Sequence, residues 1–216
     1  MSAPRRLDAA ALQEAVQALC AHDAALAALV ARDGTPPLWP RPEGFVTLAR
    51  IILEQQVSLE SAASLFRRLD ASIEGGVHPS SIVALGADGL RALGVTRQKA
   101  AYWVALAEQV VEARLDLAAL ASFPDDDVLA HLQRVPGIGP WTANVYLLFA
   151  LGRPDAWPPG DLALHMALRD VRGLDRVPTS NEAQHLASRW APHRATAARI
   201  LWQAYLRERG RRTELA

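Results

Sequence analysis

Cysteine and lysine are nearly absent from this chain: Cys20 and Lys99 are the only examples among 216 residues. A single cysteine excludes an internal disulfide and an iron–sulfur cluster held by the chain's own thiolates. The six histidines are dispersed, with no His-Glu-x-x-His or comparable spacing, which argues against a histidine-based metal centre. Net charge is absent too, because 23 basic residues balance 23 acidic ones. Attraction to DNA through a broad basic surface is therefore not expected. No stretch is apolar for long enough to span a membrane, and Asp8, Glu14, His22 and Asp23 interrupt the alanine-rich start where a signal peptide would need an apolar core. The chain reads as cytoplasmic. Aromatic residues are scarce at 6%, whereas alanine and leucine dominate, a balance that favours helices over sheets. Arginine supplies every basic residue but Lys99, and Arg207, Arg209, Arg211 and Arg212 read as a basic tail, either a solvated terminus or a DNA contact.

What is present is helical periodicity with helical punctuation. Residues 7–32 predict one amphipathic helix or two, ending near Gly34 and the Pro36-Pro37 break. Phe45, Leu48, Ala49, Ile52 and Leu53 recur at helical spacing as a buried stripe. Ser58 suits an N-cap for a helix carrying Ala62, Ala63, Leu65, Phe66 and Leu69. Pro79 suits a first helical position, Gly86 and Gly94 suit stops, and Thr96 caps a helix to about Arg114. Pro124 with Asp125, Asp126 and Asp127 opens the next helix, placing negative charge at its positive end. Trp141 to Leu151 predicts another, followed by a loop over 152–160. Asp161, Ser180 and Pro192 mark the last three starts. No strand-period run or solenoid repeat appears, so an all-α bundle of about ten helices is expected.

The densest chemistry lies in Val135-Pro136-Gly137-Ile138-Gly139-Pro140-Trp141-Thr142-Ala143. Two glycines two residues apart allow a tight turn, and the amides opening the following helix favour a phosphate. This is a helix-hairpin-helix pattern, although glycines alone can also make a plain interhelical corner. One helix later, Trp157-Pro158-Pro159-Gly160-Asp161-Leu162 presents a lone aspartate. Such a residue is an ordinary N-cap, but it can also be a carboxylate aimed at developing positive charge. A P-loop is excluded, because the turn lacks a Gly-Lys-Ser/Thr ending and no strand precedes it.

A DNA-binding hairpin followed after one helix by a loop-presented aspartate is similar to the helix-hairpin-helix (HhH-GPD) DNA glycosylase superfamily. The chain resembles most closely its 3-methyladenine DNA glycosylase II (AlkA-like) branch. The likeness runs from about Phe45 to Tyr205. It includes Ile52-Leu53-Glu54-Gln55-Gln56-Val57-Ser58, Gly94-Val95-Thr96-Arg97-Gln98-Lys99-Ala100, and Trp190-Ala191-Pro192-His193-Arg194 followed by Ala197-Ala198 and Leu201-Trp202.

The resemblance implies a two-lobed helical fold with the active-site cleft between lobes, approximately 46–150 and 1–45 plus 151–216. It also implies a minimal catalytic core without an N-terminal β domain. Asp161 becomes the catalytic carboxylate. Gly137 and Gly139 hold a phosphate, joined in DNA binding by Gln55, Ser58 and Thr142, and Gln56 fills the space left by an extruded nucleotide. The carbonyls of Gln133, Val135 and Ile138 correspond to a structural site for a monovalent cation, Na+ or K+, and no other cofactor is required. Trp141 and Trp202 line the base pocket with Tyr146, and Val145 and Leu162 stand where relatives often carry aromatics. Trp141 replaces the lysine that strand-cleaving members use for a Schiff base, which implies a monofunctional enzyme. The implied partner is double-stranded DNA containing alkylated bases, bound by a nucleoid-associated monomer. The alternatives are a glycosylase for another purine lesion and a non-catalytic helix-hairpin-helix DNA-binding protein.

Overall fold

The computed structural model describes residues 4–210, and these contain eleven α-helices, one 3-10 turn (Ala119–Ser122) and no strand. The helices are α1 (Ala9–His22), α2 (Ala24–Asp33), α3 (Phe45–Glu54), α4 (Leu59–Ser72), α5 (Pro79–Ala92) and α6 (Arg97–Val111). They continue with α7 (Asp125–Leu132), α8 (Pro140–Phe149), α9 (Leu162–Arg172), α10 (Ser180–Ser188) and α11 (Arg194–Glu208). The chain forms two compact units, one built on residues 41–146 and the other on 5–40 with the chain from 147 onward.

The first unit is organised around α3. Seven of its ten residues are buried, which leaves almost no solvent face. A helix apolar nearly all round must be covered on all sides, and α4 and α6 supply part of that cover. Trp103 of α6 is fully buried and its indole N–H donates to Ala49 O of α3 at 2.9 Å. The start of α3 is tethered as well: Thr47 Oγ1 donates to Pro42 O at 2.6 Å, and Gly44 N–H donates to the Tyr146 hydroxyl at 2.8 Å.

In the second unit α11 takes the central place, packed by α9, α2, α1 and α10. Its buried set includes three polar side chains, Thr196, Arg199 and Gln203. Arg199 donates to three backbone carbonyls, Leu38, Ala195 and Leu148, at 3.1, 3.0 and 2.9 Å. A buried cation is tolerable only when its donors are matched in this way. Asp23, between α1 and α2, plays the complementary part. It accepts from the Ala25 and Leu26 amides, pairs with Arg172 and accepts from Trp190 Nε1 at 2.8 Å.

Most helix starts fall where the sequence places them. Ser58, Thr96 and Asp161 each accept a backbone N–H three residues on. Gly86 breaks the helical geometry at φ 66° and ψ 176°, and α5 continues beyond that kink. Ser180 is the first residue of α10, capped by Thr179 in a reciprocal capping box with Glu182. One detail differs. Pro192 lies in a turn before α11, which starts at Arg194 after hydrogen bonds from Trp190 N to Ala187 O and from Ala191 N to Ser188 O hold the chain back.

Burial raises the Asp23 pKa, but the Arg172 and Trp190 hydrogen bonds and the Leu26 amide outweigh it and hold the carboxyl below its ordinary 3.8. Asp23→Asn keeps the cap but strips Arg172 of its counter-charge, and should cost about 2–4 kcal/mol at neutral pH. A lowered carboxylate pKa stabilises above the unfolded value and loses that contribution as pH falls through the folded one. The gap between wild type and variant, read by urea melts, should therefore be full at pH 6 and shrink as the pH falls below about 4. A gap independent of pH would contradict the charge assignment.

Candidate functional site

In the first unit the glycine turn joins α7 to α8 in a tight hairpin. Gly137 has φ 88°, and a Cβ there would overlap the Tyr102 ring of α6, with three ring and side-chain atoms within 2.7 Å. Only glycine fits. Gly139 is different: a Cβ there would meet nothing within 4 Å, so its backbone faces open space. Helix α8 starts immediately after it, with Ala143 N–H donating to Gly139 O. The first-turn amides of a helix point along its axis with no partner of their own, which makes this exposed end suited to an anion.

The segment after α3 meets the same hairpin. Gln55 Nε2 donates to Gly137 O and to Thr142 Oγ1, both at 2.9 Å. The next residue, Gln56, is exposed and holds a left-handed conformation at φ 59°, uncommon outside glycine and asparagine. An open concavity of about 490 Å³ is lined by Gln55, Gln56, Lys99 and Tyr102 together with residues 133–139 of the hairpin. Gln133, Val135 and Ile138 are thus brought to one place. Val135 O accepts from Ile138 N–H at 3.1 Å and keeps a second lone pair.

Two of the residues assigned to DNA contact have other duties here. Thr142 is 2% exposed and its hydroxyl is held by Gln55, so it is an interior link rather than a displayed group. Gln55 donates its amide hydrogens inward, tying the loop to the hairpin. Ser58 remains exposed and caps α4 through Ser61 N–H. Tyr146 has no exposed surface; its hydroxyl accepts from Gly44 N–H, and burial pushes its pKa up. Val145 is buried beside it. Both are core residues rather than pocket lining, because α8 turns that face inward.

In the second unit Asp161 is the N-cap of α9 and is 9% exposed. Its Oδ1 accepts from Leu164 N–H at 2.9 Å and from Trp202 Nε1–H at 3.1 Å. Two donors and the positive helix end favour negative charge on that oxygen. Trp202 is itself buried and stacks on Phe149, with ring centroids 5.4 Å apart and planes at 23°. Leu162, next to the aspartate, is 66% exposed, which is unusual for leucine. Trp141 is half-buried in the first turn of α8. His165 lies one helical turn beyond Asp161, with its Nε2 buried and lacking a partner among the described residues. Burial lowers its pKa, while the Asp161 charge and a bond to Pro178 pull it up.

Residues 49–193 match the model of the HhH-GPD superfamily of base excision DNA repair proteins. The chain belongs to this superfamily. Among its relatives, DNA-3-methyladenine glycosylase 1 of Schizosaccharomyces pombe is 26% identical over 166 residues, covering 76% of this chain and 73% of the relative. YfjP of Bacillus subtilis, to which a DNA-3-methyladenine glycosylase activity is provisionally assigned, is 30% identical over 164 residues. That match covers 73% of this chain, which spans only 57% of the Bacillus protein. The S. pombe 3-methyladenine DNA glycosylase Mag1, solved with abasic DNA, superposes with a TM-score of 0.81 at 25% identity, over 88% of this chain and 95% of Mag1.

Several residues outside the expected set hold the site together. Lys99 looks remote from the hairpin in sequence yet lines the same concavity, with Nζ donating to Leu53 O and Gln55 O at 2.7 and 2.8 Å. Tyr102, one turn further along α6, backs Gly137. Arg41 and Glu54 form a buried pair at 2.9 Å beside them. The one signal in the sequence was Lys99 itself, a solitary lysine among arginines.

The two glycines should respond differently to alanine. Gly137→Ala meets both the Tyr102 overlap and positive φ, and should lower stability by about 2–3 kcal/mol. Gly139→Ala meets neither and should shift the thermal midpoint by no more than about a degree. Equal losses for the two in thermal melts would contradict the hairpin geometry.

Proposed function

We propose that this chain is a DNA glycosylase of the 3-methyladenine type, which flips an alkylated purine out of double-stranded DNA and hydrolyses its N-glycosidic bond. The observation that carries this reading is Asp161, a buried carboxylate fixed at a helix N-terminus by Trp202 in a member of the HhH-GPD superfamily. A DNA-binding module has no need of a buried carboxylate so placed.

Alkylation at a ring nitrogen gives the purine a positive charge, so the base departs readily with the electron pair of its bond to C1′. The purine is thereby neutralised and positive charge passes to the sugar. A carboxylate about 4 Å away stabilises that charge by on the order of 4 kcal/mol at an effective dielectric of about 20. Water then adds at C1′ and loses a proton, leaving an abasic site. Extrusion of the base costs a few kcal/mol. It is offset by the amides opening α8, which take a backbone phosphate, and by Gln56 entering the vacated space. Trp141 offers an aromatic face to a cationic base, worth about 0.5–2 kcal/mol.

The neutral carbonyls of Gln133, Val135 and Ile138 suit a monovalent cation, Na+ or K+, that would brace the hairpin beside the phosphate. No step of the chemistry passes through it. The enzyme acts without strand cleavage, because Trp141 provides no amine and the Lys99 ammonium is engaged by two carbonyls. It acts as a cytoplasmic monomer. In keeping with this, no helix among the described residues is long and apolar enough to cross a membrane.

Asp161→Asn should abolish most release of 3-methyladenine while retaining affinity for an abasic-site duplex; undiminished release by this variant would sink the assignment. Trp202→Phe keeps the stack on Phe149 but loses the bond to Asp161, and should slow single-turnover release about tenfold to a hundredfold. Borohydride treatment during turnover should trap no protein–DNA adduct, and a trapped adduct would contradict the hydrolytic mechanism.

A further inference from the structure

We infer that Lys99 is a positioning residue for the loop that carries Gln56: clasped by the Leu53 and Gln55 carbonyls, its ammonium presets the backbone from which Gln56 projects. This rests on the glycosylase reading above, in which Gln56 enters the duplex.

The loop has little of its own to hold it. Its backbone bonds, Gln55 N to Ile52 O and Val57 N to Glu54 O, are both long at 3.4 Å. Gln56 sits at φ 59°, and such a conformation persists in a non-glycine residue only when its surroundings over-determine it. Those surroundings are the side chains of neighbouring elements. Lys99 holds the two carbonyls on either side of Glu54, at 2.7 and 2.8 Å. Arg41 holds the Glu54 side chain, and Gly137 and Thr142 hold that of Gln55. Of the two glutamines, Gln56 is the one left exposed, next to the exposed Val57.

A cation at a helix C-terminus meets the negative end of the macrodipole and carbonyls that lack partners within the helix. Lysine also differs from the arginines that supply all other positive charge here. Its compact ammonium directs donors tetrahedrally, whereas a guanidinium is a planar fork suited to carboxylates and phosphates. Helix α6 therefore fixes two DNA-contacting parts at once, the loop through Lys99 and the hairpin through Tyr102 packed on Gly137. A preset wedge loses less conformational entropy when it inserts.

The test uses Lys99→Met with two readouts. In the free protein, amide exchange at residues 55–57 should quicken about tenfold, the equivalent of one charge-assisted hydrogen bond, with α3 and α6 unchanged. Single-turnover base release should fall about tenfold on a duplex but by no more than about twofold on the single-stranded oligonucleotide, where nothing has to be unpaired. Gln56→Ala should show the same split between substrates. Lys99→Gln, which retains amide donors, should quicken exchange less and serves if the methionine variant is unstable. Unchanged exchange at 55–57, or equal losses on the two substrates, would overturn the inference. Wild-type protein that releases no base from either substrate would overturn the glycosylase reading instead, and exchange would still decide whether Lys99 holds the loop.

Discussion

Tyr102 lies where a side chain at Gly137 would be, and much of the first unit follows from that close approach. The ring of one helix packs against the bare backbone of the turn between two others, so the hairpin cannot shift without moving α6. Because α6 also carries Lys99 one turn earlier, the same helix sets the end of α3. Gln55 closes the loop of restraints by bonding to Gly137 O and Thr142 Oγ1. The hairpin amides and the Gln56 backbone are thereby mutually registered. On the glycosylase reading, a protein that holds a phosphate while inserting a side chain beside it needs that registration before DNA arrives.

The second unit solves a different problem, that of holding a buried carboxylate in one orientation. The first turn of α9 supplies one donor to Asp161 and Trp202 supplies the other. Trp202 is positioned in turn by its stack on Phe149, whose ring also lies 5.5 Å from the Arg199 guanidinium. Arg199, one turn before Trp202 on α11, is fixed by three backbone carbonyls. The orientation of the Asp161 carboxylate thus descends in part from a buried arginine. The C-terminal Trp190-to-Arg194 segment works in the same way. Trp190 serves Asp23, and Arg194 makes a bidentate pair with Asp155, so these residues build the frame rather than touch substrate.

The sequence reveals the elements and the capping carboxylate Asp161 because both depend on local rules. Caps at Ser58, Thr96 and Asp161 and the paired hairpin glycines are short-range signals, and spacing joins the hairpin to the aspartate. What escaped was orientation. Val145 and Tyr146 sit near Trp141 in sequence, but a helix faces several ways, and theirs is the core. Thr142 looks like a hydroxyl offered to phosphate, yet it faces Gln55, a partner 87 positions away. Lys99 reaches the end of α3 across 44 and 46 positions, Tyr102 meets Gly137 from another helix, and no periodicity encodes such contacts. Gly86 shows what a local rule does reach: its positive φ breaks the helical geometry, and α5 resumes beyond the kink.

Charge neutrality is the remaining puzzle for a chain proposed to bind a polyanion, and the arginines resolve it. Arg41 is paired with Glu54, Arg172 with Asp23, Arg176 with Glu182 and Arg194 with Asp155. Arg199 is bound to carbonyls, Arg207 reaches Asp33, and Arg209 lies over the Tyr205 ring at 3.9 Å. Arg207 and Arg209 of the basic tail are therefore engaged within the protein, while Arg211 and Arg212 fall outside the described residues. Much of the cationic inventory serves the fold. On the glycosylase reading, a grip on DNA then draws on oriented dipoles, above all the amides that open α8 beside Gly139, together with the exposed Arg134 of the same concavity. Dipoles act at short range and require an exposed backbone, and Gly139 is the hairpin position at which a side chain would meet nothing of the protein itself. On the proposed reading, the glycine that packing leaves unexplained is the one a phosphate would approach closely.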